Sequence, residues 1–341
     1  MEEVRLTLDE IRALCLRALR AAGLSEENAQ AVAEHMTACE QDECQAHGIH
    51  RLPGYCASLR SGRVNARSVP RVQELTDTAI RVDGDNGFWP RAVAAGRPLL
   101  IERARRRGIA AMSVVNSNHF GALWWDVEPI ADAGLVAMTF VNSRASVAHW
   151  GGRRRIYGTN PMAFAWPRPG KPPMVFDQAS AAIARGEIEI HRREGKALKP
   201  GWAIDKDGKP TTDATAALAG AQLTFGGHKG TAIALMVELL ASSLTGGFSS
   251  LEAVEMHKPA DGGPANAGQF FIAIDPACFA APGETSHAMG RAEALFAAIL
   301  EEEGTRLPSE RRFLARERTP VEGVRVAAPF LAELRALAGA A

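Results

Sequence analysis

Between residues 109 and 141 the chain carries an apolar, β-rich run from Ile109 to Val115, a helical stretch from Leu123 to Ala133, and a second apolar run from Leu135 to Val141. That strand–helix–strand order restricts the fold more than any other feature and places the chain among α/β proteins. A Rossmann site would need GxGxxG at the turn between strand and helix, so that backbone can approach a pyrophosphate. The first run is instead followed by Asn116-Ser117-Asn118-His119-Phe120-Gly121. Gly226-Gly227-His228-Lys229-Gly230 lacks the GxxxxGK[ST] spacing of a P-loop, and no GxSxG elbow occurs.

The pattern to either side is mostly helical. Thr7 with Glu10 makes a capping box, and Leu8, Ile11, Cys15 and Leu19 then share one helix face. Gly23 ends that helix, Ser25 caps the next, and Val32, Ala33 and Met36 form its apolar stripe. Gly48, Pro53 and Gly54 predict a loop over 41–55. Short strands are expected over 70–88 and a helix from Pro90 to Arg107; residues 144–230, richer in Gly and Pro, read as strands joined by loops. Residues 231–244 are apolar nearly all round, which predicts a single buried helix too short to span a bilayer. A Gly/Pro/Asn loop is expected over 257–268, a strand from Gln269 to Ile274, and helices from Ala288 to Glu302 and from Ala328 to Leu337. No internal repeat is found.

Composition limits the function class. The 341 residues, 46% hydrophobic, suffice for a large core and suggest two domains. Thirty-nine basic residues balance 39 acidic ones, so no overall charge favours nucleic acid or an anionic membrane. No apolar run reaches a membrane-spanning length, and the start, Met1-Glu2-Glu3-Val4-Arg5, is not that of a signal peptide. Five cysteines without a CxxC argue against a disulfide framework or a zinc site, and point to a reducing, cytoplasmic setting. His47 and His50 have no third ligand nearby in sequence, so no metal is expected.

Several segments have residues fit for chemistry, each with a plainer alternative. His47 can exchange a proton near neutral pH and Arg51 can fork a carboxylate, or the two are a loop histidine and a surface arginine. His119, Phe120, Gly121, Ala122 and Leu123 lead into a helix whose first amides suit a phosphate, or form an ordinary capped junction. Thr159, in Gly158-Thr159-Asn160-Pro161, is placed to grip a carboxylate, or serves a common turn. Asp177, Gln178 and Ala179, then Arg185, Gly186 and Glu187, set small residues beside carboxylates where a flat ring could approach, or are solvated. Gly227, His228 and Lys229 suit a pyrophosphate, or ease a tight turn. Arg306, Leu307, Pro308, Ser309, Glu310, Arg311 and Arg312 bring three arginines together, as a 2′-phosphate requires and as a charged surface turn also would.

The order of these segments adds what none carries alone. His-Gly-Ile-His-Arg-Leu at 47–52, Asn-Gly-Phe at 86–88, His-Phe-Gly-Ala-Leu-Trp at 119–124, Asp-Val-Glu-Pro at 126–129, Gly-Thr-Asn-Pro at 158–161, Phe-Gly-Gly-His-Lys-Gly at 225–230, Met-Val-Glu-Leu-Leu-Ala at 236–241, Leu-Thr-Gly-Gly at 244–247 and Arg-Leu-Pro at 306–308 follow one another along almost the whole chain. In this the sequence resembles the malate/L-lactate dehydrogenase family, which lacks a Rossmann fold, and within it the Δ1-piperideine-2-carboxylate/Δ1-pyrroline-2-carboxylate reductases.

The resemblance implies an α/β fold with a non-Rossmann NAD(P)-binding domain on a mixed, largely antiparallel sheet, plus a helical substrate and dimerisation part, in a homodimer. Residues 71–249 would form the NADP-binding domain, and residues 1–70 with 250–341 the remainder. His47 would be the proton donor, oriented by Glu187. Arg51 and Thr159 would hold the substrate carboxylate, with Arg185 and Gly186 beside it. Segments 119–123, 177–179, 227–229 and 306–312 would bind NADPH. Two positions depart from the family pattern: Ala46 stands where a serine is usual, and Glu187 where an aspartate is. The activity implied is NADPH-dependent reduction of a cyclic 2-imino carboxylate to L-proline or L-pipecolate. The alternatives are a 2-hydroxyacid dehydrogenase of malate, lactate or ureidoglycolate type, and a catalytically weakened homologue that binds cofactor.

Overall fold

Thr7 and Glu10 satisfy each other's backbone amides at the start of α1 (Leu8–Ala21), which follows a short strand, β1 (Glu3–Leu6). The computed structural model describes residues 2–119, 121–257, 263–281 and 283–339; Phe120 lies outside them. Ile11, Cys15 and Leu19 are buried as their spacing predicts, and α2 (Glu26–Gln41) buries Val32, Ala33 and Met36 against them. The stretch expected as a loop departs from that pattern. Residues 45–51 wind into two 3₁₀ turns, Gln45–His47 and Ile49–Arg51, and Pro53 and Gly54 lie in the first turn of α3 (Leu52–Arg60). A proline is tolerated there because the first amides of a helix have no partner within it.

β2 (Arg71–Glu74) and β3 (Ala79–Phe88) form a hairpin. α4 (Trp89–Arg107) carries the chain back so that β4 (Ile109–His119) pairs parallel to β3. After α5 (Trp124–Asp132) come β5 (Val136–Val141), β6 (Val147–Ala148), β7 (Arg155–Tyr157), β8 (Met162–Trp166) and β9 (Met174–Gln178). Two helices, α6 (Arg185–Glu194) and α7 (Ala214–Ala219), arise where only strands and loops are expected, among β10 (Ala203–Ile204), β11 (Pro210–Thr211) and β12 (Ala221–Gln222). The chain ends with α8 (His228–Glu238), α9 (Ser250–Met256), β13 (Ala265–Ile274), α10 (Thr285–Leu300), α11 (Glu310–Glu322), β14 (Val324–Ala327) and α12 (Ala328–Leu337).

Among the described residues the main sheet has seven strands in the order β2-β3-β4-β13-β5-β8-β9. Only β3 and β4 pair in parallel, so the sheet is mixed and largely antiparallel. The βαβ unit is therefore β3-α4-β4. β4 and β5, which the sequence suggests as neighbours, are separated by β13, antiparallel to both. Alternate residues on one face (Val82, Met112, Phe271, Ala137, Ala165, Val175) are buried in one core with α1, α2, α4 and α5. A five-stranded sheet of short strands, β11-β10-β12-β6-β7, and the pair β1–β14 complete the strands.

The apolar stretch 231–244 is not one buried helix. α8 gives way at Leu239–Ser243 to a π-helical turn, and Leu235, Met236, Leu239 and Leu244 are exposed. The arginine-rich segment also differs from a surface turn, because Arg312 lies inside α11 and is buried. Its Nη1 is 2.7 Å from both Asp42 Oδ2 and Glu128 Oε2, Arg316 joins the same two carboxylates, and the guanidinium lies 4.2 Å over the Trp124 ring. Removing one member of a buried ion network strands the others' charge. Arg312→Ala should lower the unfolding free energy by about 3–5 kcal/mol, read by urea denaturation with tryptophan fluorescence. Unchanged stability would instead mean that the residue is not held for the fold.

Candidate functional site

The site is built around the end of α2. His35, fully buried there, accepts the Ala122 amide at Nε2 (3.2 Å), with Cys39 Sγ 3.4 Å from the same nitrogen. Burial, with His47 and His119 nearby, holds its imidazole well below the usual histidine range, so the ring is neutral and can accept. Gly121 has no room for a side chain: a Cβ would lie 2.0 Å from Trp89 and 2.8 Å from His35 Nε2. His119 is buried beside Trp89, its Nδ1 accepting the Gly121 amide at 3.4 Å and its Nε2 3.6 Å from Asp126.

The next two amides, of Leu123 and Trp124, donate to Asp177 Oδ2 at 2.7 and 3.1 Å. The helix start that the sequence offers to a phosphate is thus already capped from within the protein. Asp177 is exposed at the end of β9 beside the 121–124 segment, and desolvation of its carboxyl raises it to about 6 against the pull of the two amides. Gln178 is exposed and Ala179 half-buried beside it.

The remaining cofactor candidates converge on the same strand. Ser309 Oγ donates to the Val175 carbonyl in β9 at 2.5 Å, which brings 306–312 alongside 177–179. Arg306, Pro308 and Arg311 are exposed, Leu307 is buried and Glu310 half-buried. From the other side, the Ser180 carbonyl accepts the Phe225 amide (3.0 Å) and an isolated bridge joins Ala181 to Thr224. That ties in the Gly227–Lys229 loop. Gly227 lies against the exposed Trp150 ring, where a Cβ would come within 3.0 Å, and His228 and Lys229 are exposed.

The substrate candidates come from three loops. Arg51 donates through Nε to the Ala46 carbonyl (2.6 Å), closing the turn that carries the half-buried His47. Burial lowers the Arg51 guanidinium, with Tyr55 opposing the shift, and Nη2 lies 3.8 Å from where a Gly186 Cβ would stand. The structure therefore brings Arg51 and Gly186 together. Arg185 and Glu187 are exposed, and Glu187 lies 3.8 Å from His191. Thr159 is half-buried, its amide on Ser143 Oγ (3.2 Å) and its carbonyl accepting the Ser180 amide (2.8 Å).

Supporting residues escaped the sequence reading. Glu238 accepts from Asn160 Nδ2 (2.8 Å) and from Ser250 through both its amide and hydroxyl (2.6 Å each), which fixes the turn bearing Thr159. Its signal was visible as the lone charge in the apolar stretch 231–244. Asp126, fully buried, accepts from Trp89 Nε1 (3.3 Å) and Gln269 Nε2 (2.7 Å) beneath the 119–123 segment. Among the described residues no group of three or more His, Cys, Asp or Glu could hold a metal, and no helix is long and apolar enough to cross a membrane.

The malate/L-lactate dehydrogenase family model matches residues 6–335. A Δ1-pyrroline-2-carboxylate reductase of Ancylobacter novellus is 49% identical over 336 residues, 98% of this chain and 98% of that protein. A Δ1-pyrroline-2-carboxylate/Δ1-piperideine-2-carboxylate reductase of Pseudomonas aeruginosa is also 49% identical, over 98% of this chain and 99% of that one. The crystal structure of Δ1-piperideine-2-carboxylate reductase from Pseudomonas syringae pv. tomato superposes with a TM-score of 0.90 at 41% identity, covering 98% of this chain and 99% of that chain.

Asp177 gives a pH test of the site. Its folded value, about 6, stands above the ordinary 3.8, so between these values the folded state holds a proton that the unfolded state has lost. The stability of the wild type relative to Asp177→Asn should therefore be greatest below pH 4 and fall as the pH rises to 6. Melting temperatures of the two proteins across that range check it; a constant difference would mean that the carboxyl is not raised.

Proposed function

The chain belongs to the malate/L-lactate dehydrogenase family, and from that premise we propose that it reduces the C=N bond of Δ1-pyrroline-2-carboxylate and Δ1-piperideine-2-carboxylate with NADPH, giving L-proline and L-pipecolate. The observation that carries the reading is near-50% identity, over the full chain, to reductases of those names. The geometry is in keeping with it. Arg51 is a half-buried cation facing a glycine-lined space, and a substrate carboxylate would offset the cost of burying it.

The site suits a dinucleotide in one direction. The Asp177 carboxylate would repel a phosphate and accept from hydroxyl or carboxamide donors, so the ribose and nicotinamide end belongs beside 119–123 and 177–179. Lys229, with the amides around Gly227 and His228, and the exposed Arg306 and Arg311 would take the phosphates, the 2′-phosphate of NADPH among them. Arg312 is occupied by Asp42 and Glu128 and would act through the packing of Trp124.

The nicotinamide supplies hydride when bound. The chain's own part is to orient the imino acid through Arg51 and Thr159, with C2 toward that hydride, and to keep the ring nitrogen protonated. His47 would hold the proton at that nitrogen, because the iminium accepts hydride far better than the neutral imine. Glu187, one turn from its His191 contact, would swing toward His47 to stabilise the imidazolium.

Absorbance assays of NADPH and NADH oxidation, with both cyclic imines, pyruvate and oxaloacetate in parallel, test the reading. Turnover of the imines with NADPH is expected, and Arg51→Ala should cut kcat/KM by about 100-fold or more, as loss of a charge-assisted carboxylate contact does. Turnover of the oxo acids alone would move the chain to the hydroxyacid branch.

A homodimer belongs to the same reading. Leu235, Met236, Leu239, Leu244, Leu251 and Met256 are exposed apolar side chains on and just after α8 and its π-helical turn, and on α9. A second copy, placing the same side chains against them, would cover both sets. Leu239→Asp should shift the protein from dimer to monomer in sedimentation equilibrium; a wild-type monomer would overturn the assembly.

A further inference from the structure

Glu40, in the last turn of α2, is 3% exposed and lies under the turn that carries His47 and Arg51. Its Oε1 accepts the Ile49 amide at 2.8 Å. Gly48 lies between His47 and Ile49, with φ −84° and ψ −143°. What excludes a side chain at Gly48 is Glu40 itself, since a Cβ would lie 2.0 Å from Oε1 and 2.7 Å from Cδ. The carboxyl and the bare glycine thus fit one another, and the two 3₁₀ turns at Gln45–His47 and Ile49–Arg51 hinge on that contact.

We infer that Glu40 is a positioning residue for the reaction, seating the Gly48–Ile49 backbone so that His47 and Arg51 face the substrate together. The inference rests on the reading of His47 and Arg51 given above. Arg51 Nε holds the Ala46 carbonyl from within the turn, whereas Glu40 anchors the turn to α2. Burial pushes the Glu40 carboxyl up to about 7, with the Ile49 amide opposing. The thiols of Cys15 on α1 and Cys39 on α2, which its charge helps to raise, are themselves held up chiefly by burial. An uncharged glutamine, which keeps the acceptor and the volume, is therefore the conservative replacement.

The experiment compares wild type, Glu40→Ala, Glu40→Gln and Gly48→Ala by steady-state kinetics with Δ1-pyrroline-2-carboxylate and NADPH, and by amide hydrogen exchange at Ile49. Displacing a catalytic turn by an ångström costs about 100-fold in rate. Glu40→Ala and Gly48→Ala should each lose about that much in kcat and raise KM for the imino acid. KM for NADPH should stay at the wild-type value, because His35, not Glu40, holds the 121–122 segment. Glu40→Gln should retain most of the activity and the slow exchange of Ile49, which Glu40→Ala loses. Wild-type kcat in Glu40→Ala, or a Glu40→Gln protein as impaired as Glu40→Ala, would overturn the assignment. If Glu40→Ala does not fold, Gly48→Ala decides: wild-type kcat there overturns it, and a loss of kcat at unchanged KM for NADPH supports it. A wild-type enzyme inactive on cyclic imines would sink the proposed reaction instead, and Ile49 exchange in Glu40→Gln and Gly48→Ala would still decide whether Glu40 seats the turn.

Discussion

The hydrogen bonds that leave the last turns of α2 hold the rest of the site in place. His35 takes the Ala122 amide, Glu40 takes the Ile49 amide, and Asp42, just past the helix, takes Arg312 and Arg316. Those partners belong to the 119–123 segment proposed for the cofactor, the turn proposed to carry His47 and Arg51 to the substrate, and α11, which lie far apart in sequence. One rigid helix therefore fixes their relative positions, and because α2 is packed between α1 and α4 in the main core, the site inherits the core's rigidity. Each acceptor is buried, so losing one leaves a donor unpaired away from water rather than exchanging one solvent contact for another.

The same economy sets the electrostatics of the site. A helix start facing a ligand would ordinarily present free amides, and anions favour such a place. Here the amides of Gly121, Ala122, Leu123 and Trp124 all have acceptors in His119, His35 and Asp177. With those donors spent and an exposed carboxylate beside them, this end of the site disfavours phosphate. Lys229, Arg306 and Arg311 are exposed cations on the other segments proposed for the cofactor. A dinucleotide, anionic in its middle and donor-bearing at its nicotinamide end, has one favourable direction across that gradient.

How much of this could be read from the sequence depended on whether the contact was local. The sequence points to β4, α5 and β5 as the strand–helix–strand unit where the structure has β3, α4 and β4, whereas the capping box at Thr7 and the apolar face of α1 follow from spacing and stand in the structure. β13 did not, because its insertion between β4 and β5 is a pairing across more than a hundred residues that no periodicity announces. The 231–244 stretch misled for a related reason. Apolar all round means covered, but residues on one chain need not be covered by that chain, and Leu239 and Leu244 stand in the open. Arg312 was visible as a cation and invisible as a buried one, since Asp42 and Glu128 reach it only through the tertiary fold. The motifs marked the segments that converge on β9 and on the 45–51 turn; of the residues that hold them there, Asp126 and Glu238 lie in marked segments without a role readable from them, and His35 lies in none.

Ala46 can be weighed on the same terms. The position works through its backbone, because its carbonyl accepts Arg51 Nε at 2.6 Å, and that bond is indifferent to the side chain. An alanine therefore keeps the geometry of the turn and gives up only a hydroxyl, and with it one possible relay for a proton. Ala46 is exposed, so water reaches the place where that hydroxyl would stand. For a substrate whose nitrogen is basic enough to arrive protonated, a relay that delivers a proton during hydride transfer is dispensable, whereas a carbonyl oxygen needs its proton as the alkoxide forms. A hydroxyl at this position would thus matter more for reduction of an oxo acid than of a cyclic imine.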